Sequence, residues 1–206
     1  MAESITGILL AGGRSRRMGQ DKALLRFGRL SCIEQVQSAL SVVCSDLLIS
    51  ANASRSYDFL GLPRVEDQYP GQGPLAGLHA GLKAARTSWS LVSACDMPLV
   101  TEGMASDLAR MVRSLTPMGK VQAVVPVAEG RPQPLFAAYH DSAATVLEQR
   151  LQRGELRMMD ALGELTVKWV PLEELAVCES LHRWREGLFN MNEPKDYERL
   201  KGLHRL

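Results

Sequence analysis

A chain of 206 residues with 46% apolar side chains can bury one sizeable core, and it reads as a single domain over residues 1–206. A formal net charge of +1 argues against a protein that grips nucleic acid through its overall field, and no apolar run approaches the roughly 18 residues of a membrane span. The N-terminus MAESITGILLAGG has no basic leader region, and Cys32, Cys44, Cys95 and Cys178 are too scattered for a disulfide framework or a zinc site, so the expectation is a soluble, cytoplasmic protein with reduced core thiols.

Along the chain, Ile5–Leu10 is a short continuous apolar run ended by Gly12-Gly13, the pattern of a strand buried on both faces of a parallel sheet. Similar runs fall at 46–50, 90–95 and 121–127, and helical spacing falls between them, near 31–43, 74–86 and 102–114. Alternating strands and helices predict right-handed crossovers and a Rossmann-like, three-layer α/β/α fold with a mainly parallel central sheet. Beyond residue 130 the spacing predicts a strand over 134–140, a helix over 142–153, a strand over 166–170 and a final helix. Asn192 is expected to cap that last helix, with Pro194 in its first turn.

Three constellations carry chemistry. In LLAGGRSRRMGQDKALL, residues 9–25, a strand end opens through two glycines into Arg14, Arg16, Arg17 and Lys22. The loop is neither a Walker A nor a G-x-G-x-x-G sequence, so it reads either as a different phosphate loop, with Arg and Lys supplying the charge, or as a basic surface loop. In GQGPLAGLHAG, residues 71–81, Gly73, Gly77 and Gly81 fall four apart; this stripe serves close helix–sheet packing, a flat ligand such as a base at the entry shaped by Gly73 and Pro74, or both. In SLVSACDMPLV, Asp96 ends an apolar strand just before Pro98, the place for a carboxylate holding a divalent ion between phosphates, or else for a helix cap. Glu66 and Asp67 form a further acidic pair at a strand end or turn. His79, His140, His182 and His204 lack metal-site spacing and read as structural, and no nucleophile elbow is present, so a covalent intermediate is not indicated.

These blocks resemble the nucleotidyltransferases that make activated sugars and cofactors, most closely the molybdenum cofactor guanylyltransferase family. VEDQYPGQGPLAGLHAGL, SACDMPLV, RPQPLFAAYH and FNMNEPKDYERL are similar to its later blocks and extend the likeness over almost the whole chain. The resemblance implies transfer of GMP from GTP to Mo-molybdopterin, with release of pyrophosphate and with Mg2+ as cofactor. It implies that Leu10, Ala11, Gly12 and Gly13 cradle the nucleotide, that Arg17 and Lys22 neutralise its phosphates, and that Asp96 holds the metal. Asn52, Asp67, Gly73 and Pro74 would be further GTP contacts, while Arg131, Gln133, Pro134, Asn190 and Asn192 would face the pterin. Residues 1–100 would thus be mainly nucleotide-binding and 121–195 mainly acceptor-binding.

There is one clear departure, Glu193 where the family usually has Thr or Ser, and Ser50 stands where relatives can carry another Asn. The alternatives are a CTP-dependent sister enzyme, a sugar- or polyol-phosphate nucleotidyltransferase, or a non-catalytic nucleotide or cofactor carrier. Relatives using CTP typically show L-A-A-G where this chain has Leu10-Ala11-Gly12-Gly13. The expected partners are the two small substrates and transient contacts with proteins that deliver or insert the cofactor, with a monomer or weak oligomer and with neither nucleic acid nor membrane.

Overall fold

The computed structural model describes residues 4–11, 21–52, 55–115 and 120–203. Strand β1 (Ile5–Leu10) is buried along its full length, with Ile5 and Leu9 packed into one core and Ile8 and Leu10 into the other. That two-sided burial is why its sequence is continuously apolar rather than alternating. A small antiparallel hairpin follows, β2 (Arg26–Phe27) with β3 (Leu30–Ser31), leading into α1 (Cys32–Ser41), whose entry is fixed by a reciprocal Ser31–Glu34 capping box.

The chain then lays down β4 (Asp46–Ser50), β5 (Arg64–Val65), α2 (Pro74–Ala84), β6 (Trp89–Ala94) and α3 (Glu102–Arg113). It continues through β7 (Ala123–Ala128), β8 (Arg131–Pro132), β9 (Phe136–His140), α4 (Ala143–Arg153), α5 (Met158–Gly163) and β10 (Val167–Pro171). Helices α6 (Leu172–Leu175), α7 (Leu181–Gly187) and α8 (Pro194–Leu203) complete it. The main sheet runs β5-β4-β1-β6-β9-β7-β10, with β8 attached to β7. Pairing is parallel at β1–β4, β1–β6, β4–β5 and β7–β10, and antiparallel where β9 lies between β6 and β7.

One core holds the apolar faces of α1 and α3 with Trp184 of α7; the other holds α2, α4 and α5. The layers are therefore helix, sheet, helix, as the alternation predicted. Among the described residues, no helix is long and apolar enough to cross a membrane.

The glycines of α2 divide their work. An added Cβ at Gly81 would stand 2.6 Å from Ile8 Cγ2, so this residue lets α2 approach β1. Gly77 likewise faces Ser50 and Leu10. Gly73 lies outside the stripe: it is the residue before the helix, at φ 73°, a conformation that L side chains rarely adopt.

Two expectations are corrected. Asn192 does not cap α8; the Asp196 carboxylate reaches back to accept the N–H groups of Asn192 and Glu193, leaving the Asn192 side chain for another partner. The thiols are all free, but only Cys32 and Cys95 are fully buried, and Cys178 is exposed.

Candidate functional site

The strand register sets the site. Val65, Ser50, Leu10 and Ala94 form one row across β5, β4, β1 and β6. Two residues beyond that row the described chain carries Asp67, Asn52 and Asp96. With adjacent strands about 4.8 Å apart, the row from Val65 to Ala94 spans roughly 14 Å, a length that suits a nucleoside with its phosphates. Gly12 and Gly13, with Arg14, Arg16 and Arg17, lie outside the described residues; Ala11 donates its N–H to the Ser50 carbonyl at 2.9 Å and carries the ladder up to them.

At the β4–β5 end, Asn52 and Asp67 hold each other. The Asn52 amide donates to Asp67 Oδ2 at 2.9 Å, and the Asp67 N–H donates to Asn52 Oδ1 at 3.2 Å. Ser50, standing where an Asn could be, donates its hydroxyl to Asp67 Oδ1 at 3.3 Å and braces the carboxylate. The acidic pair thus splits in function: Glu66 points to solvent beside Arg64, while Asp67 faces Asn52. Gly73 and Pro74 are exposed at the start of α2, on the same edge.

The central group is Lys22, Asp96 and the segment Met191–Asn192. Asp21 precedes a 3-10 turn over Lys22–Leu24 that presents the lysine. Lys22 Nζ donates to the Met191 carbonyl at 2.9 Å and to Asn192 Oδ1 at 3.3 Å, and the Met191 N–H donates to the Asp96 carbonyl at 2.8 Å. Burial raises the proton affinity of Asp96 above the ordinary carboxylate range, and the Lys22 charge partly offsets it. Asp96 Oδ1 is buried and has no hydrogen-bond partner among the described residues. The helix-cap reading of Asp96 is set aside, because Thr101 supplies the side-chain cap of α3.

The acceptor-side candidates reach the edge by two routes. The β7–β8 hairpin turns at Glu129-Gly130, both with positive φ, and sets exposed Arg131 on β8 opposite Ala128. The Leu135 carbonyl accepts from Ala94 N–H at 2.8 Å, so Gln133 and Pro134 leave the sheet beside Cys95 and Asp96. The Asn190 amide donates to the Leu188 carbonyl at 3.4 Å, and the Gln133 amide donates to the Arg131 carbonyl at 3.3 Å. Glu193 pairs with Lys195 at 2.6 Å, which neutralises the one anionic departure from the family pattern.

Several participants carry no sequence signal of their own: the backbone of Met191, the brace from Ser50, and Asp196. The N–H groups of Glu193 and Asn192, with Lys195 and Lys22 nearby, hold the Asp196 carboxyl below its ordinary range despite the burial that works against it. Away from this edge, a cavity of about 540 Å³ between α4 and α5 is lined by Arg150, Arg153 and Arg157 and by Glu155, Asp160 and Glu164. Arg150 and Arg153 pair with its carboxylates, notably Arg150 with Glu164 and Arg153 with Glu155.

A parallel sheet edge carrying a cation, an unpartnered carboxylate oxygen and a glycine-led helix entry is the ligand edge of a nucleotide-binding α/β protein. The family model described as the MobA-like NTP transferase domain matches residues 7–167, and the chain belongs to that family. It is 36% identical to a "Probable molybdenum cofactor guanylyltransferase" of Carboxydothermus hydrogenoformans, over 96% of this chain and 95% of that one. It is 35% identical to a "Molybdenum cofactor guanylyltransferase" of Yersinia pseudotuberculosis, over 95% and 94%. Among solved structures, the molybdopterin-guanine dinucleotide biosynthesis protein A of Archaeoglobus fulgidus superposes with a TM-score of 0.79 at 25% identity, covering 97% of this chain and 98% of that one. A Thermus thermophilus 2-C-methyl-D-erythritol 4-phosphate cytidylyltransferase shares the fold, with a TM-score of 0.66 at 18% identity over 97% and 98% of the two chains.

Proposed function

We propose that this nucleotidyltransferase moves GMP from GTP to Mo-molybdopterin, yielding the guanine dinucleotide cofactor and pyrophosphate. The observation that carries the reading is the meeting of Lys22, Asp96 and Met191–Asn192 at the sheet edge that also bears Asn52 and Asp67. The names of the full-length relatives supply the nucleobase and the acceptor.

In this reading, a terminal phosphate oxygen of the pterin forms a bond to the α-phosphorus of GTP as the bond to pyrophosphate breaks, and no protein nucleophile takes part. The chain aligns two anions and neutralises the charge that gathers on the leaving group. Residues 1–100 hold the nucleotide: Leu10 and Ala11 lead into the Gly12-Gly13 cradle, Gly73 and Pro74 meet the base, and Asn52 and Asp67 orient the nucleoside. Lys22 and Arg17 face the phosphates. Residues 121–195 hold the pterin through Arg131, Gln133, Pro134, Asn190 and Asn192.

The donor set suits Mg2+. Among the described residues no cluster of three or more His, Cys, Asp or Glu could hold a metal, but Mg2+ is commonly bound by one or two carboxylates together with substrate phosphates and water. Asp96, with a buried oxygen left unpartnered, supplies such a carboxylate. When bound there, the ion would screen the negative charge of the two phosphate groups.

The test is incubation of the protein with Mg2+ and Mo-molybdopterin, with GTP or CTP in parallel, following pyrophosphate. Release with GTP alone is expected. Release with CTP alone would overturn the choice of base, and no release with either would overturn the activity.

A further inference from the structure

The Lys22 turn is tied down through Asp21 by Tyr57, a residue that none of the family-like blocks contains. Asp21, directly before the lysine, uses both carboxylate oxygens. Oδ1 accepts the Ala23 N–H at 3.0 Å and closes the 3-10 turn, and Oδ2 accepts the Tyr57 hydroxyl at 2.5 Å. Tyr57 is fixed in its turn. It lies in the short 3-10 helix Arg55–Leu60 after β4, its ring is only 7% exposed in the core beneath β1 and β6, and the Leu60 carbonyl at the end of that helix accepts from Gln37 of α1 at 3.3 Å. An unbroken chain of contacts thus runs from α1 through Tyr57 and Asp21 to the turn that aims Lys22 at Met191 and Asn192.

From this geometry we propose that Tyr57, acting through Asp21, is a positioning residue for Lys22, setting where the ammonium meets the phosphates of the nucleotide. The inference rests on the reading of Lys22 as a phosphate ligand. A hydrogen bond from a neutral donor to a carboxylate in a largely buried setting is strong enough to hold such a turn. Burial, and then the bond to Asp21, push the phenol's proton affinity up, so the hydroxyl remains a donor at any pH at which the enzyme works.

The experiment is a double-mutant cycle of Tyr57→Phe and Lys22→Ala, reading the Kd for GTP and kcat/KM, with unfolding midpoints measured in parallel. Tyr57→Phe keeps the ring in the core and removes only the donor. It is expected to weaken GTP binding and lower kcat/KM about tenfold in the Lys22 protein, the scale of one charge-assisted hydrogen bond, and to change both less than about twofold in the Lys22→Ala background. Equal losses in both backgrounds, no loss in the Lys22 protein, or a loss matched by an equal loss of folded protein would overturn the proposal. If Lys22→Ala itself binds GTP normally, the phosphate reading of Lys22 fails along with it. If Lys22→Ala is impaired and Tyr57→Phe is not, only the positioning role fails.

Discussion

The N–H of Met191 donates to the carbonyl oxygen of Asp96 at 2.8 Å, so the segment leading into the last helix is stitched to the end of a central strand. Lys22 closes the same junction from the other side, through the Met191 carbonyl. Three stretches far apart in sequence thereby share one small volume, and a change in any of them is felt by the others.

Asp96 is the point where function and stability oppose each other. Its proton affinity in the folded state is raised from the ordinary value of 3.8, chiefly by burial, so the folded protein binds more protons than the unfolded chain as pH rises from that value. Stability contributed by this group therefore falls as pH increases through the raised folded value. Asp96→Asn is expected to be more stable than the parent at pH 7, with the difference vanishing in acid, as denaturant melts at several pH values would show. Asp96→Ala should abolish pyrophosphate release while retaining part of the GTP affinity, because a metal ligand serves the transition state more than the ground state. Unchanged turnover in that variant would contradict the metal role.

Lys22 lowers the proton affinity of Asp96, and this can be seen without turnover. In Lys22→Gln the carboxyl carbon of Asp96, followed by NMR, is expected to titrate at higher pH than in the parent, since the offsetting positive charge is gone. Any acid limb of kcat/KM that Asp96 controls moves the same way. GTP binding should weaken roughly tenfold to a hundredfold, in line with the loss of a charged hydrogen-bond donor.

Gly81→Ala sets two effects of similar size against each other. Alanine favours the helix by about 1 kcal/mol, whereas overpacking a core costs about 1–3 kcal/mol. The new Cβ would lie 2.6 Å from Ile8 Cγ2 on the central strand, so packing should win and the protein should lose about 1 kcal/mol in urea melts. In an Ile8→Ala background the obstruction is gone, and the same substitution should become stabilising.

Asp107 has no part in the chemistry yet should matter to it. Its fully buried carboxylate accepts the N–H groups of Val177, Cys178 and Glu179 and the indole N–H of Trp184, and it organises the turn between α6 and α7. Asp107→Ala is expected to cost about 3 kcal/mol, since several buried donors lose their acceptor. Because α7 leads straight into Leu188–Asn192, amide exchange across 176–192 should accelerate more than in β1 or β6, and kcat should fall at temperatures where the sheet is still folded.

Much of this was legible along the chain because the signals were local. Continuous apolar runs reported β1, β4 and β6 through their two-sided burial, and Gly73-Pro74 and Asp96-Met97-Pro98 marked a helix start and a strand end through backbone chemistry. The direction of β9 was not legible, since FAAYH pairs equally well either way and only its neighbours β6 and β7 decide. The two-residue strands β2 and β3 are too short to show a period. Asn192 read as a cap because residue type suggests capping, but Lys22, 170 positions away, competes for the same side chain. Tyr57 and Asp107 carry no local signal for the same reason: each depends on partners that only the folded chain supplies.

The bond between Met191 and Asp96 has a consequence for how the protein comes into being. A ribosome that has finished β1, β4 and β6 has already made the central strands, together with Lys22 and Asp96, but not the loop that joins them. The junction of Lys22, Asp96 and Met191 is therefore assembled only once the segment beyond residue 188 has emerged, and a chain cut just before that residue would lack it.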